Sequence, residues 1–289
     1  MNVTEEDVLY SVSDLSDEHQ EVFSDGFQYF NWIQSECFPQ LYRADGNMVI
    51  GSPTGSGKTV LMELAMLRVL QKRGNQPGSS LKIVYLAPTH ALVNEKHLDW
   101  QQRFGKLGLS ALALTRADVL DMQKEIKGAD IILTTPEKFD AITRKRKNLL
   151  MSFFADIALV LIDEVHILNE ERGASLEAIV SRLKLVSQIP EMQMYNLPIS
   201  QIRYIAVSAT VPNIADIGQW LHCSQEGIKS YGDEMRPVKL LTAVLGYQPC
   251  KNNFMFEKNL NRYVYDGKHK PPFSWSLGQA TIALTVLPC

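Results

Sequence analysis

This sequence contains few cysteines and no excess of basic over acidic residues. The cysteines lie far apart and include no CxxC pair, which argues against a disulfide framework and against a zinc site (Cys37, Cys223, Cys250 and Cys289). The formal net charge is −3, so the chain as a whole lacks the basic field of a protein that binds nucleic acid along its entire surface. A local nucleic-acid groove is still compatible with this composition.

Long apolar runs are missing too. No apolar stretch approaches the length that a helix needs to cross a bilayer, and the N-terminus lacks the basic-then-apolar pattern of a secretion signal. We therefore expect a soluble, intracellular protein with no membrane partner.

Lys and Arg are absent from the first 25 residues, which contain eight acids. This composition predicts a solvated and poorly ordered leader over residues 1–26. At the other end, residues 244–289 show little periodicity. We interpret them as a linker followed by an irregular tail.

Between these ends, short apolar runs alternate with segments of helical period. The runs predict strands within 47–51, 81–87, 110–115, 130–135, 157–163 and 203–209, and the longest intervening segments predict helices over 59–72, 91–104 and 175–186. Strands that alternate with helices predict a parallel sheet covered on both faces. We expect an α/β, doubly wound domain over residues 27–243.

A glycine-containing turn follows the first predicted strand and leads into a helix. It satisfies the needs of a phosphate-binding loop: glycines where the backbone must approach an anion, a helix N-terminus, and a Lys-Thr pair for the outer phosphates and Mg²⁺. A surface loop that ends in Lys-Thr by chance fits the flanking strand and helix poorly. The predicted nucleotide-binding residues are Ser52, Pro53, Thr54, Gly55, Ser56, Gly57, Lys58 and Thr59.

Two acids end a very apolar predicted strand at 157–163. Asp163 is the candidate ligand of Mg²⁺, and Glu164 is the candidate base for an attacking water. A buried strand that ends in two carboxylates needs a cation nearby, which favours a functional site over a surface turn. Alone, His166 would be interpreted as a structural histidine.

Five short motifs occur in the order and approximate spacing of the superfamily 2 DExH-box helicases. They are SPTGSGKT (52–59), APTHALVNE (87–95), TTPEKFD (134–140), DEVH (163–166) and SAT (208–210). The chain most resembles the Ski-like branch, through FQYFNWIQSECFP (27–39), RGASLEAIVSRL (172–183) and EMRPVKL (234–240). DEVHILNEERG and NNFMFEKNLN are most similar to the meiotic crossover DNA helicases, although RNA-directed relatives share most of the motifs.

The resemblance implies a RecA-like P-loop NTPase domain that binds ATP and Mg²⁺, and a nuclear location. Gln34 would contact adenine, with Phe27 or Phe30 packing nearby. Lys58, Asp163 and Glu164 would serve catalysis, and Thr59 and Asp163 would hold the metal. The residues expected to couple nucleotide to nucleic acid are His166, Ser208 and Thr210, and those expected to contact the nucleic-acid backbone are Pro88, Thr89, Thr134, Thr135 and Pro136.

No segment resembles the second RecA-like domain with which such helicases enclose ATP. The sequence therefore allows two functions: the ATP-binding half of a nucleic-acid helicase, or a non-catalytic module that binds nucleotide or nucleic acid. In either case we expect slow ATP turnover, because an arginine finger contributes several powers of ten in rate. We also expect the apolar run 280–287 to lack a strand partner. Oligomeric state and the choice between DNA and RNA stay open.

Overall fold

The computed structural model describes residues 9–24, 26–74, 80–115, 123–144, 152–170, 172–236, 240–247, 255 and 281–288. The chain divides into two compact units, Met1–Met235 and Arg236–Cys289.

The first unit contains a sheet of seven strands. The strands are β1 (Met48–Gly51), β2 (Lys82–Leu86), β3 (Ala111–Leu114), β4 (Ile131–Thr134), β5 (Ile157–Ile162), β6 (Arg203–Ser208) and β7 (Ile228–Ser230). Their order in the sheet is β3-β4-β2-β5-β6-β1-β7, and every neighbouring pair is parallel, as the alternation of strands and helices predicts. Six of them fall within the predicted segments. The short β7 was not predicted, because Ile-Lys-Ser has no strong strand pattern.

Helices cover both faces of this sheet. The α-helices are α1 (Asp17–Gln20), α2 (Trp32–Phe38), α3 (Lys58–Gly74), α4 (His90–Arg103), α5 (Gln123–Gly128), α6 (Pro136–Arg144), α7 (152–155), α8 (Gly173–Ser187), α9 (Pro190–Met194) and α10 (Ile214–Trp220). The three predicted helices correspond to α3, α4 and α8. A π-helical segment (Pro39–Arg43) extends α2. The 3₁₀ segments are Val12–Asp14, Phe104–Leu107, Val165–Asn169, Pro198–Gln201, Gln225–Gly227 and Asp233–Met235.

Strands β1 to β6 each contribute to two separate apolar cores because successive side chains point to opposite faces of the sheet. In β2, Ile83 and Tyr85 join the core that contains α3 and α4, whereas Val84 and Leu86 join the core that contains α8. This burial on both faces explains why the strands are apolar throughout rather than alternating.

The prediction of a poorly ordered leader needs correction for residues 9–24. Leu15, Val22 and Phe23 are buried in the first core, and the Phe23 ring packs edge-on against Phe30. Arg103 of α4 also donates a hydrogen bond from Nε to the Val22 carbonyl, at 2.9 Å. The many acids made the composition of this segment typical of a disordered leader. The few apolar residues have no regular spacing, so they gave no sign of a buried element.

The second unit contains two parallel strands, β8 (Leu240–Tyr247) and β9 (Thr281–Pro288). They pair in register from Leu240↔Thr281 to Tyr247↔Pro288. The expectation that 280–287 lacks a strand partner is therefore wrong, as is the assignment of 244–247 to a linker. The similarity of the later segment 252–261 to helicases lies outside the described residues, except for Met255.

Among the described residues, none of the helices combines the length and apolar character that crossing a membrane requires.

Candidate functional site

The predicted site residues come together at the edge of the sheet where its parallel strands end. Strand β6 lies between β5 and β1, so the acidic turn and the glycine loop lie on either side of the SAT segment. Backbone hydrogen bonds tie these loops to one another: Ser52 N donates to Ser208 O at 3.0 Å, and Asp163 N donates to Leu86 O at 2.9 Å. Carboxyl ends of strands are where open α/β sheets place their ligands.

The glycine loop has the geometry of an anion cradle. Gly55 and Gly57 have positive φ angles of 83° and 82°, a conformation that glycine adopts without strain. Inside the turn, the hydroxyls of Ser52 and Ser56 lie 2.8 Å apart. The Lys58 ammonium donates to the Ser52 carbonyl at 3.2 Å, which keeps its charge at the loop where α3 begins. The loop therefore offers backbone N–H groups, a helix N-terminus and a cation to one anion.

Helix α2 supports this loop through a capping box at its N-terminus. Asn31 accepts a hydrogen bond from Gln34 N while the Gln34 side chain accepts one from Asn31 N. The two amides also reach the loop: Asn31 Nδ2 donates to Ser56 O at 2.9 Å, and Gln34 Nε2 donates to Gly57 O at 3.2 Å. The structure thus places Gln34, the predicted adenine contact, against the loop backbone. Sequence reasoning missed Asn31, although an Asn three residues before a Gln at a helix start is a capping signal.

Phe27 and Phe30, the two alternatives for packing near adenine, are in different environments. Phe30 is fully buried in the core and has no free ring face. Phe27 lines a cavity of about 350 Å³ together with Thr59 and Val60, at the start of α3. Of the two, only Phe27 is placed to contact a bound molecule beside the loop.

The acidic turn places its two carboxylates differently. Asp163 is partly buried and accepts a hydrogen bond from the Tyr85 hydroxyl at 2.8 Å. Burial, together with the charge of Glu164, raises the pKa of Asp163 above its usual range, while the Tyr85 hydrogen bond and Lys58 oppose that rise. Glu164 has a left-handed backbone with φ 52°, which turns its side chain toward β6, where Ala209 N donates to Glu164 Oε2 at 3.3 Å.

Two of the three predicted coupling residues contact each other. His166 Nδ1 lies 3.1 Å from the Ser208 hydroxyl and 3.3 Å from Glu164 Oε2. A path of polar contacts therefore joins the acidic turn to the end of β6. Thr210, the third predicted residue, is exposed just beyond it.

The residues around Asp163 suit Mg²⁺ better than a metal caged entirely by protein. In the part of the chain that the structure describes, no three His, Cys, Asp or Glu residues are grouped to hold a metal. Protein sites for Mg²⁺ typically use one or two carboxylates together with phosphates and waters. A carboxylate whose charged form is disfavoured by burial, close to the lysine of an anion cradle, meets that description.

The predicted nucleic-acid contacts separate into exposed and buried residues. Pro88 and Thr89 are accessible, and Thr89 caps α4 by accepting a hydrogen bond from Leu92 N. Thr134, Thr135 and Pro136 are buried. The Thr134 hydroxyl donates to the Leu114 carbonyl at 3.1 Å, so the prediction that it is available to a ligand is corrected.

Comparison with known proteins finds a matching family and several relatives. The family described as DEAD/DEAH box helicase matches residues 31–217. The chain is 52% identical over 265 residues to "ATP-dependent DNA helicase MER3 homolog" of Oryza sativa subsp. japonica, covering 89% of this chain and 22% of that protein. It is 53% identical over 265 residues to "ATP-dependent DNA helicase homolog MER3" of Arabidopsis thaliana, covering 89% and 23%. The chain thus spans about a fifth of the length of these curated relatives.

A solved structure, of the DUF1998 helicase MrfA bound to DNA, has the same fold. The TM-score is 0.66 at 20% identity, and the alignment covers 90% of this chain and 36% of that one.

Proposed function

Since the chain belongs to the DEAD/DEAH box helicase family, we propose that it binds Mg–ATP at the glycine loop and forms the ATP-binding half of a nucleic-acid helicase. The observation that carries this proposal is the convergence of Lys58, Asp163 and Glu164 at one edge of the sheet, beside a loop whose glycines have positive φ. The names of the relatives, which describe ATP-dependent DNA helicases, support it.

Each side chain has a role that its position supports. Lys58 and the amides of the loop would hold the phosphates, while Thr59 and Asp163 would hold Mg²⁺, which would neutralise charge on the outer phosphates. Glu164 would take a proton from the attacking water. Phe27 would pack against the base in the cavity beside Thr59.

The contacts of His166 with Ser208 and Glu164 would transmit the state of the nucleotide to the end of β6. Thr89, exposed at the start of α4, would contact the nucleic-acid backbone through its amide and hydroxyl, which requires no excess of basic charge.

Binding is tested by titrating a fluorescent ATP analogue into the wild type and Lys58→Ala, with and without Mg²⁺. Loss of a charged hydrogen-bonding partner of the phosphates should weaken binding by about 10- to 100-fold. Arg172→Ala is the matched control, because it removes an exposed cation that pairs with Glu137 away from the loop. Equal affinity of wild type and Lys58→Ala would contradict the assignment.

We propose DNA in preference to RNA, and a role in meiotic recombination with a nuclear location, from the names of the relatives and the DEVHILNEERG motif. Fluorescence anisotropy with single-stranded DNA and RNA of one sequence, in the presence of the non-hydrolysed analogue, compares the two directly. Tighter binding of RNA would favour the RNA-helicase alternative.

Hydrolysis by residues 1–289 tested alone should be slow, because the resemblance to this family implies that the arginine fingers lie on a second RecA-like domain. Phosphate release should rise by about 10³-fold or more when such a domain is supplied in the same polypeptide. Fast hydrolysis by residues 1–289 that Glu164→Gln abolishes would contradict this expectation. Nucleotide binding without such a rise would favour the alternative, a non-catalytic binding module.

A further inference from the structure

Tyr85 is a fully buried residue of β2 whose hydroxyl reaches the acidic turn. It donates to Asp163 Oδ2 at 2.8 Å across two neighbouring strands. We propose that Tyr85 is a positioning residue, which orients the Asp163 carboxylate so that its other oxygen faces the metal. This inference rests on the proposed function, because it takes Asp163 to be the Mg²⁺ ligand.

A chain of buried contacts holds the Tyr85 ring in place. The ring meets the Trp100 indole edge-on, with centroids 4.9 Å apart, and both side chains are fully buried. The Trp100 indole N–H donates to Glu63 Oε1 at 2.9 Å. Glu63 belongs to α3, the helix that begins at Lys58, and Trp100 belongs to α4.

The far end of this chain is fixed by an ion pair. Arg103 donates to both oxygens of Glu63, at 2.7 and 2.9 Å, and Glu63 is completely buried. A bidentate pair of this kind holds both partners in one geometry. The position of the Tyr85 hydroxyl is therefore determined by the packing of α3 and α4 against β2.

The hydrogen bond between the Tyr85 hydroxyl and Asp163 has a fixed direction, with the hydroxyl as donor. An ionised carboxylate only accepts hydrogen bonds, so the phenol must be the donor and must point its proton at Oδ2. The backbone N–H of Glu164 is a second donor to this carboxylate. Because each carboxylate oxygen has two acceptor sites, Oδ1 keeps acceptor capacity for a ligand. Hydrogen-bonding partners of metal ligands of this kind typically contribute 10- to 100-fold to metal affinity or activity.

A purely structural role would satisfy a buried carboxylate without orienting it toward a metal. The two roles differ in the metal dependence of nucleotide binding. Loss of orientation weakens the Mg²⁺ complex alone, whereas structural damage at the loop weakens metal-free binding as well.

The test uses the full chain and the near-isosteric substitution Tyr85→Phe, which removes only the hydroxyl. The affinity for a fluorescent ATP analogue is measured in EDTA and across a Mg²⁺ titration, and Mn²⁺ binding to the nucleotide complex is followed by electron paramagnetic resonance. We expect metal-free affinity within about twofold of wild type and a Mg²⁺ midpoint raised by about tenfold or more.

Tyr204→Phe is the matched control. Tyr204 is also a buried tyrosine of the sheet, in β6, but its hydroxyl has no hydrogen-bonding partner among the residues that the structure describes. Its Mg²⁺ midpoint should equal that of wild type. Trp100→Phe keeps an aromatic ring but loses the bond to Glu63, and should raise the midpoint by a smaller factor than Tyr85→Phe.

The outcomes separate the two claims. A wild-type Mg²⁺ midpoint in Tyr85→Phe, with Lys58→Ala impaired, overturns the positioning role and leaves the proposed function intact. An equal loss of affinity in EDTA and in Mg²⁺ also overturns it, in favour of a structural role. If Lys58→Ala binds like wild type, the proposed function fails first, and the positioning role fails with it.

Discussion

The two edges of the seven-stranded sheet handle buried charge differently. Where strands begin, Lys82 and Arg203 are almost fully buried, and each donates three hydrogen bonds to backbone carbonyls. Where strands end, Lys58 makes a single hydrogen bond, to Ser52 O, within the part of the chain that the structure describes. Asp163 has a raised pKa and one side-chain donor, Tyr85.

This difference distinguishes structural from functional charge. Lys82 uses all three of its ammonium donors on backbone carbonyls, and Arg203 uses three of its five N–H donors, so little of their hydrogen-bonding capacity is left for a ligand. At the other edge, Lys58 and Asp163 keep hydrogen-bonding capacity that a phosphate with its metal would satisfy. The same sheet therefore contains an edge that is complete on its own and an edge that a ligand completes.

The largest expected effect is loss of stability when Arg203 is replaced by Leu. Three carbonyls, those of Gln40, Leu41 and Gly46, lose their donor, so the free energy of unfolding should fall by about 3–5 kcal/mol. Urea unfolding measures this loss. ATP-analogue affinity of the folded protein should not change, since the site lies at the opposite edge.

The control for this substitution is Arg172→Leu, which removes an exposed arginine, 45% accessible, from its pair with Glu137. It should cost at most about 1 kcal/mol. Equal losses for the two variants would show that the carbonyl contacts of Arg203 contribute nothing specific.

A smaller effect is expected where the loop turns at Gly57. Alanine at Gly57 would adopt a strained positive φ, and its Cβ would collide with Gln34 Nε2, which is held in the capping box. We expect a loss of about 2–3 kcal/mol in stability, from strain plus broken hydrogen bonds, together with weaker binding of the ATP analogue.

Gly55→Ala separates the two causes. Gly55 also has a positive φ, of 83°, but nothing lies within 4 Å of the position that an added Cβ would take. Strain alone should cost about 1–2 kcal/mol. If thermal or urea unfolding shows Gly55→Ala to be as unstable as Gly57→Ala, the contact of Gln34 with the loop is unimportant.

The smallest expected effect concerns a buried group that stays neutral. Burial raises the pKa of the Cys37 thiol from 9.0 to about 11, with Tyr231, Glu36 and Lys229 nearby. Between these values the folded chain keeps a proton that the unfolded chain has lost, so stability should fall as pH rises from 9 toward 11. Between pH 8 and 10 this contributes about 1 kcal/mol.

Unfolding of the wild type and Cys37→Ala by urea at several pH values measures that contribution. The wild type should lose more stability than Cys37→Ala over this interval. Parallel pH profiles of the two proteins would mean that Cys37 titrates alike in both states.

The parallel sheet and the glycine turn between β1 and α3 were predictable because they depend on local pattern. Apolar runs reveal buried strands, and Gly55, Gly57 and Lys58 have few substitutes in an anion cradle. The long-range contacts of Asn31 and Tyr85 were not predictable, although the capping signal of Asn31 is local. Their hydrogen-bonding partners lie 25 and 78 residues away in the sequence. An Asn or a Tyr gives no local signal for a contact that forms only when the sheet has folded.

The errors at the two ends have a related cause. Leu15, Val22 and Phe23 are buried but are spaced irregularly among acids. The acidic composition therefore predicted disorder, and no periodic pattern indicated burial. The run that forms β9 finds its partner in β8, about 40 residues earlier in the chain. Pairing at that distance leaves no mark on local periodicity.

The position of β1 in the sheet has a consequence for the order of assembly during synthesis. Its neighbours are β6 and β7, so Gly51 pairs with Ser208, made roughly 150 residues later. At about 5–20 residues per second, the first strand waits roughly 8–30 seconds for its partner. Contacts between residues so distant in sequence also slow folding. The glycine loop is therefore among the first parts of the sheet to leave the ribosome and among the last to reach its folded geometry. Until β6 is made, β1 is an unpaired strand that chaperones can bind.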